Sequence, residues 1–145
     1  MLQPQLLICG FGSAGKAVAN AYEQRGLQGC DIAIVERSEE GVGQARSRGF
    51  GAVFGDATDP ARLRIAGAGT TAEIIICVAD DATAAVTAAV RKVAPCASIK
   101  AVVEHSEAAI AARSEGANLV LVLSEIAGQV LAETAFLCSA ETRPD

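Results

Sequence analysis

The stretch that most constrains the fold runs from Leu6 to Lys16, with the sequence LLICGFGSAGK. Its first four residues, Leu6 to Cys9, are all apolar, which is typical of a strand buried on both faces in a parallel sheet. A Gly-x-Gly-x-x-Gly turn comes next, and an alanine- and valine-rich helical pattern begins at Lys16. Strand, glycine turn and helix are the three parts of a dinucleotide-binding βα unit.

The glycine turn predicts where a phosphate group would bind. Gly10 permits the tight turn, Gly12 lets the backbone approach a pyrophosphate, and Gly15 lets the helix pack close to the strand. The free N–H groups at the start of the helix, together with the positive end of its dipole, would hold the phosphates. We therefore predict a cofactor-binding turn made of Gly10, Phe11, Gly12, Ser13, Ala14 and Gly15.

A carboxylate stands at the end of the second predicted strand, Ile32 to Val35. Glu36 lies twenty-one residues after the third glycine of the turn, where an acidic residue accepts hydrogen bonds from the ribose hydroxyls of adenosine. A carboxylate at this position repels a 2′-phosphate, so the sequence favours NAD over NADP. Arg37 is a candidate to stack on the adenine face.

Two alternatives to a dinucleotide-binding site are compatible with the same residues. The first is a Rossmann-like fold whose crevice holds no ligand. The second is a P-loop, because Gly10 to Lys16 also fits G-x-x-x-x-G-K, but Ala17 stands where a serine or threonine would bind magnesium. The P-loop is therefore the weaker alternative.

Short apolar strands alternate with helical patterns along the rest of the chain. The strands are predicted at 6–9, 32–35, 52–54, 74–78, 99–103 and 119–123, and the later helices at 39–48, 59–66, 82–93, 107–115 and 124–137. This alternation requires a parallel sheet with right-handed crossovers, most simply in the order 3-2-1-4-5-6. We predict a single doubly wound, Rossmann-like α/β domain over residues 1–137 and a loose tail over 138–145.

Ligands of such sheets bind outside the carboxyl ends of the strands. Asp56 is a candidate acceptor for an adenine amino group, and the N–H of Ala57 is a candidate donor to a ring nitrogen. The alternative is that Asp56 only ties its own turn. Ala79 and Asp80 come after the fourth strand at the same edge, although Asp80 and Asp81 are also expected as N-caps of the next helix.

His105, the only histidine, comes just after the fifth strand. A hydride-transfer enzyme needs a base near this position, yet we find no second domain for a substrate and expect His105 to have no partner. We therefore predict a binding module without catalytic residues. An NAD-dependent oxidoreductase, or a fragment of one, is the alternative.

Composition narrows the classes of partner. The net charge is −5 and no basic cluster occurs, so nucleic acid is not expected as a partner. The five cysteines are scattered, which predicts neither a zinc site nor disulfides, and Cys9 and Cys77 are expected inside core strands. No apolar run approaches the roughly 20 residues of a membrane span, and the start lacks a basic signal region. These features predict a soluble, cytoplasmic protein.

With these residues in place, the chain resembles the RCK/KTN family, the Trk-type N-terminal domains of potassium channels and transporters. The matching stretches are LLICGFGSAGKAVA, AIVERSEE, FGDATDPARLRIAGA, EIIICVADD and GANLVLVLSEIAGQVLAE. The resemblance implies a cytoplasmic regulatory domain that binds NAD(H) or an adenine nucleotide and assembles as dimers or rings. Ligand-dependent movement would then pass to a membrane pore. The resemblance places binding positions at Gly10, Gly12, Gly15, Glu36, Asp56 and Ala57.

Departures from the family pattern refine this expectation. Many members carry Arg at the position of Ser13 and another basic residue near Glu104. Their absence leaves a terminal phosphate poorly neutralised, so NAD, AMP or ADP fits better than ATP. The ligand-binding subdomain that often comes next is missing, so the chain is a candidate fragment of a longer channel or transporter. Its last predicted helix carries an apolar face with few charges, made of Ile126, Val130, Leu131, Ala135 and Leu137. We expect part of this apolar face to pack on the sheet and the remainder to form a homodimer contact.

Overall fold

The strands form one parallel sheet in the predicted order. The computed structural model describes residues 2–142, and the side chains of residues 2–134. The sheet has six strands in the order β3-β2-β1-β4-β5-β6, and every neighbouring pair is parallel. The strands are β1 Leu6–Cys9, β2 Ile32–Glu36, β3 Gly51–Phe54, β4 Glu73–Ile76, β5 Ser98–Val103 and β6 Leu119–Val122. The predicted Rossmann-like fold is therefore confirmed.

Helices connect the strands, and a short 3-10 turn, Gly29–Asp31, precedes β2. The Asp59 side chain accepts a hydrogen bond of 2.9 Å from the Ala61 N–H, and Pro60 is the first helical residue after it. The predicted helix start at this Asp-Pro pair is thus confirmed. The helices are α1 Ser13–Gln24, α2 Glu39–Ser47, α3 Pro60–Ile65, α4 Asp80–Val93, α5 Ser106–Ser114 and α6 Leu123–Thr142.

Two apolar layers cover the two faces of the sheet. Because successive strand residues point to opposite faces, Leu6 and Ile8 pack with Ala19 of α1 on one side. Leu7 and Cys9 pack with residues of α3, α4 and α5 on the other side. All four residues of β1 are buried. The central strand therefore carries the glycine turn on a rigid support.

The described side chains of the last helix, those of residues 123–134, do not pack on the sheet. Every described side chain of α6 is exposed, and Val130 and Leu131 are 55% and 69% exposed. The expectation that part of this helix covers the sheet is therefore wrong for Ile126, Val130 and Leu131, and the side chains of Ala135 and Leu137 lie outside the described part of the chain. β6 ends at Val122 and α6 begins at Leu123, so no connecting residues remain to turn the helix back over the strand.

The boundaries of α6 also differ from the prediction. The helix ends at Thr142 rather than at Leu137, so residues 138–142 are helical rather than loose, and residues 143–145 lie outside the described part of the chain. The division into one domain over 1–137 and a tail stays a prediction. Within residues 2–142, none of the helices combines the length and the hydropathy that a membrane span needs.

Candidate functional site

Two adjoining cavities open at the carboxyl edge of the sheet, on either side of β4. The first, here called the β2-side cavity, has a volume of about 290 Å³ and is lined by residues at the ends of β1, β2, β3 and β4. The second, the β5-side cavity, has a volume of about 360 Å³ and lies between the ends of β4 and β5. Residues 77–79 line both cavities. The pair lies where strand order reverses between β1 and β4, the usual ligand position in such sheets.

Most of the predicted binding residues line these cavities. Ala14 and Asp80 line the β5-side cavity, and Ala79 lines both. Ser13 is exposed at the start of α1, and Gly15 is buried beneath the glycine turn. The β2-side cavity is bordered by Gly10, Phe11, Gly12, Glu36, Arg37, Asp56 and Ala57.

The three glycines of the turn have different structural roles. Gly10 has a φ of +98°, and a Cβ there would collide with the backbone oxygen of Cys77. A Cβ on Gly15 would collide with the backbone oxygen of Gly10. Gly12 has a φ of −79° and a ψ of −159°, and an added Cβ would meet no atom within 4 Å. The fold therefore requires the first and third glycines, whereas the second only keeps space open.

Helix α1 begins at Ser13, earlier than the Lys16 start that the sequence suggested, and Gly12 is its N-cap. The N–H groups of a first helical turn have no partner within the helix. The first turn of α1 carries no acidic side chain that would neutralise the helix dipole. Open backbone at Gly12 and an unneutralised helix N-terminus together suit an anionic group.

Glu36 is held against the glycine turn. Its Oε2 accepts a hydrogen bond of 2.6 Å from the Phe11 N–H, and its Oε1 accepts one of 3.2 Å from the Ser38 N–H. These bonds fix the carboxylate at the rim of the β2-side cavity. The sequence predicted the position of Glu36 but not its bond to the turn.

Asp56 is anchored in its own turn and also borders the β2-side cavity. Its Oδ1 accepts hydrogen bonds from the N–H and the Oγ1 of Thr58, both at 2.8 Å. These bonds, together with the nearby charge of Arg37, lower the pKa of Asp56. Asp56 therefore stabilises its own turn, as the alternative interpretation predicted. Its carboxylate also stays ionised beside the cavity.

The expected N-cap role of Asp80 and Asp81 is wrong. The N-cap of α4 is Ala79, and no side chain caps that helix end. The Asp80 carboxylate instead accepts backbone hydrogen bonds from Glu104 at 2.8 Å and His105 at 3.0 Å. These bonds lower the pKa of Asp80. The reason is topological, because β4 and β5 are adjacent and the loops at their carboxyl ends meet.

The same geometry overturns the expectation that His105 has no partner. Its Nδ1 lies 3.4 Å from Oδ2 of Asp80, and its side chain is 75% exposed. His105 borders the β5-side cavity. The predicted strand order already placed the ends of β4 and β5 side by side, and this signal could have revealed the pair.

Sequence reasoning missed Cys77 and Val78 as lining residues. β4 ends at Ile76, so Cys77 lies just beyond the strand and is only partly buried, which makes the prediction of a core-strand position wrong. Cys9 is buried in β1 as predicted. Burial raises the pKa of each thiol to about 12, so both stay protonated. Within the described residues, no three His, Cys, Asp or Glu side chains are grouped to hold a metal ion.

The family of the chain is shown by a match to the TrkA-N domain over residues 6–123. The chain belongs to the TrkA-N family. The resemblance to Trk-type N-terminal domains that the sequence indicated is therefore confirmed.

Solved structures similar to this TrkA-N chain include the TrkA-N domain of the inner membrane protein ybaL from Escherichia coli. The two are 20% identical with a TM-score of 0.83, over 91% of this chain and 96% of that one. The GsuK channel bound to NAD is 25% identical with a TM-score of 0.77, over 89% of this chain and 23% of that one. GsuK bound to ADP is 26% identical with a TM-score of 0.74, over 89% of this chain and 34% of that one. This TrkA-N chain thus spans a minor part of the GsuK chains.

Proposed function

We propose that this TrkA-N chain is a regulatory module that binds NAD or NADH, or alternatively AMP or ADP, and controls a potassium channel or transporter. The main support for the proposal is the open space at the Gly12 backbone, at the N-terminus of α1. This space adjoins the β2-side cavity, which Glu36 and Asp56 border with their hydrogen-bonded carboxylates. The NAD-bound and ADP-bound GsuK structures, which share the fold of this chain, support the same ligand class.

In this proposal the β2-side cavity holds adenosine. Glu36 accepts hydrogen bonds from the ribose hydroxyls, and Asp56 and the Ala57 N–H recognise the adenine edge. Arg37 borders the same cavity and stacks on the base. The phosphates lie at the start of α1, beside Gly12.

A nucleotide titration tests this assignment. We expect NAD and ADP to bind by calorimetry, and NADP to bind about tenfold more weakly than NAD, a difference of ~1.4 kcal/mol. The reason is that the Glu36 carboxylate repels a 2′-phosphate. Glu36→Gln should reduce this preference, whereas Glu39→Gln, an exposed change of the same charge at the start of α2, should keep it. Equal affinity for NAD and NADP in the unmodified protein would refute the assignment of Glu36.

The proposal includes self-association through the uncovered apolar side chains of β6 and α6. Leu119 and Leu121 on β6 are 46% and 42% exposed, and Val130 and Leu131 on α6 are also exposed. Several large apolar side chains left exposed on neighbouring elements of the chain are typical of an interface. We infer that a second copy of the chain covers it. In a longer parent chain or beside a separate pore subunit, such dimers would lie in the cytoplasm at the membrane.

A second candidate function is an NAD-dependent oxidoreductase, which the Asp80–His105 pair favours. A histidine beside a carboxylate at the rim of a cavity is a candidate proton acceptor. The regulatory proposal predicts binding without turnover. An alcohol or hydroxy acid that this protein oxidises with NAD, and that the His105→Ala variant does not, would favour the enzyme.

A further inference from the structure

Open space beside Glu36 allows its carboxylate to reach the glycine turn. This space is left by Gly41, a buried residue in the first turn of α2. A Cβ added to Gly41 would lie 2.7 Å from Cγ of Glu36 and 3.2 Å from its Cδ. Non-bonded carbon atoms pack at about 3.5–4.0 Å. The Glu36 side chain could therefore not keep its position beside a residue larger than glycine.

Nothing else in the local structure requires glycine at this position. Gly41 is not among the glycines of the described chain that have a positive φ, so its backbone suits other residues. Its N–H donates a hydrogen bond of 3.2 Å to Oγ of Ser38, the N-cap of α2, and any residue except proline can make this bond. Alanine is also the better helix residue. The contact with Glu36 is therefore what excludes a side chain here.

The Glu36 carboxylate is held only lightly at the turn. Its hydrogen bonds come from the backbone N–H groups of Phe11 and Ser38. In the part of the chain that the structure describes, no lysine, arginine or histidine nitrogen lies within 4.0 Å of it. A third cavity, of about 260 Å³, is lined by Glu36, Gly41 and other residues of α1 and α2. A displaced Glu36 side chain therefore has room to leave the turn.

We infer that Gly41 is a positioning residue for ribose recognition, an inference that rests on the proposed function. Because Cγ is the atom in contact, relief through the side chain requires rotation about the Cα–Cβ bond of Glu36. This rotation carries the carboxylate away from the Phe11 N–H, where the ribose hydroxyls are proposed to lie. Gly41 thus sets the preference for NAD over NADP, although it touches neither nucleotide.

Calorimetry with NAD and NADP on the Gly41→Ala variant tests the inference. We expect the affinity for NAD to fall about tenfold, which corresponds to the loss of one hydrogen bond to a charged group. The affinity for NADP should not fall, because the carboxylate that repels its 2′-phosphate has moved away. A general disturbance of the site would instead weaken both nucleotides alike. The matched control is Gly43→Ala, at an exposed position of α2 where a Cβ meets no atom within 4 Å. It should keep both affinities.

Two further measurements show whether Gly41 acts through Glu36. The Glu36→Ala variant has no Cγ, so adding Gly41→Ala to it should change neither affinity further. Hydrogen exchange of the Phe11 amide, followed by NMR without nucleotide, reports the bond to Glu36 directly. This exchange should be faster in Gly41→Ala than in the unmodified protein and unchanged in Gly43→Ala.

The outcomes separate the inference from the proposed function. A preference for NAD that Gly41→Ala retains, or a Phe11 amide that exchanges at the unmodified rate, overturns the positioning role. A further loss of affinity when Gly41→Ala is added to Glu36→Ala also overturns it. If Gly41→Ala does not fold, folding of the variant with both changes supports the contact and its failure overturns it. If the unmodified protein binds neither nucleotide, the proposed function fails, and the exchange of the Phe11 amide decides whether Gly41 positions Glu36.

Discussion

Gly12→Val should abolish nucleotide binding without unfolding the domain. The backbone at Gly12 has the extended dihedral angles φ −79° and ψ −159°, which valine adopts readily. An added Cβ meets no protein atom within 4 Å. The branched side chain would therefore fill only the space that a pyrophosphate needs.

The expected changes in free energy differ for folding and binding. Valine is a poorer N-cap than glycine but restricts the unfolded chain, so we expect the free energy of unfolding without ligand to stay within ~1 kcal/mol of the unmodified value. For the unmodified protein, NAD at about one hundred times its dissociation constant should add ~2.7 kcal/mol to that free energy. For the Gly12→Val variant, NAD at the same concentration should add nothing measurable to the free energy of unfolding.

Denaturant unfolding with and without NAD, together with calorimetry, measures both quantities. Gly43→Val is the matched control, because Gly43 is exposed in α2 and an added Cβ there also meets no atom within 4 Å. The control should bind NAD with unchanged affinity. Retained affinity in Gly12→Val would refute the phosphate position, and loss of the folded state would refute the claim that this glycine only keeps space open.

Three further predictions concern the third glycine, the Asp80 carboxylate and the last helix. Gly15→Ala should lower the free energy of unfolding by ~3 kcal/mol or more in denaturant titrations, because its Cβ would collide with the Gly10 backbone oxygen. Since the pKa of Asp80 is lowered in the folded state, its contribution to stability is present above the unfolded pKa of about 3.9 and is lost as pH falls through the folded value. Asp80→Asn should therefore flatten the loss of stability at acidic pH, and an unchanged pH profile would contradict this. Val130→Glu should shift the protein towards monomer in light scattering, whereas Gln129→Glu, an exposed polar position on the same helix, should not.

The fold was predictable because its signals are local. The run from Leu6 to Cys9 has no polar residue, so both faces of β1 had to be buried, and the glycine turn indicated that a helix comes after the strand. Once each strand was paired with a helix, the handedness of the crossovers left few sheet orders. The sequence therefore contained enough information for the fold and for the position of Glu36.

The contacts that the sequence did not predict join residues far apart in the chain. The bonds from Glu104 and His105 to Asp80 depend on how the loop after β4 is aligned with the loop after β5. The spacing of apolar residues in the sequence does not contain this information. The bond from the Phe11 N–H to Glu36 likewise depends on how the glycine turn closes over β2. The position of helix α6 was predicted wrongly for another reason. Its apolar pattern predicts that one face is buried, but the pattern does not show whether that face packs on the sheet of the same chain.

The exposure of α6 makes its helicity a test of self-association. Most helices in proteins derive their stability from the packing of an apolar face rather than from intrinsic helix propensity. α6 has 20 residues, and its described side chains are all exposed. If a second copy supplies the missing packing, helix content should fall together with mass as the protein is diluted. Circular dichroism and light scattering over the same concentrations measure both. Full helix content in a proven monomer would show that α6 needs no partner and would remove the structural reason for proposing a dimer.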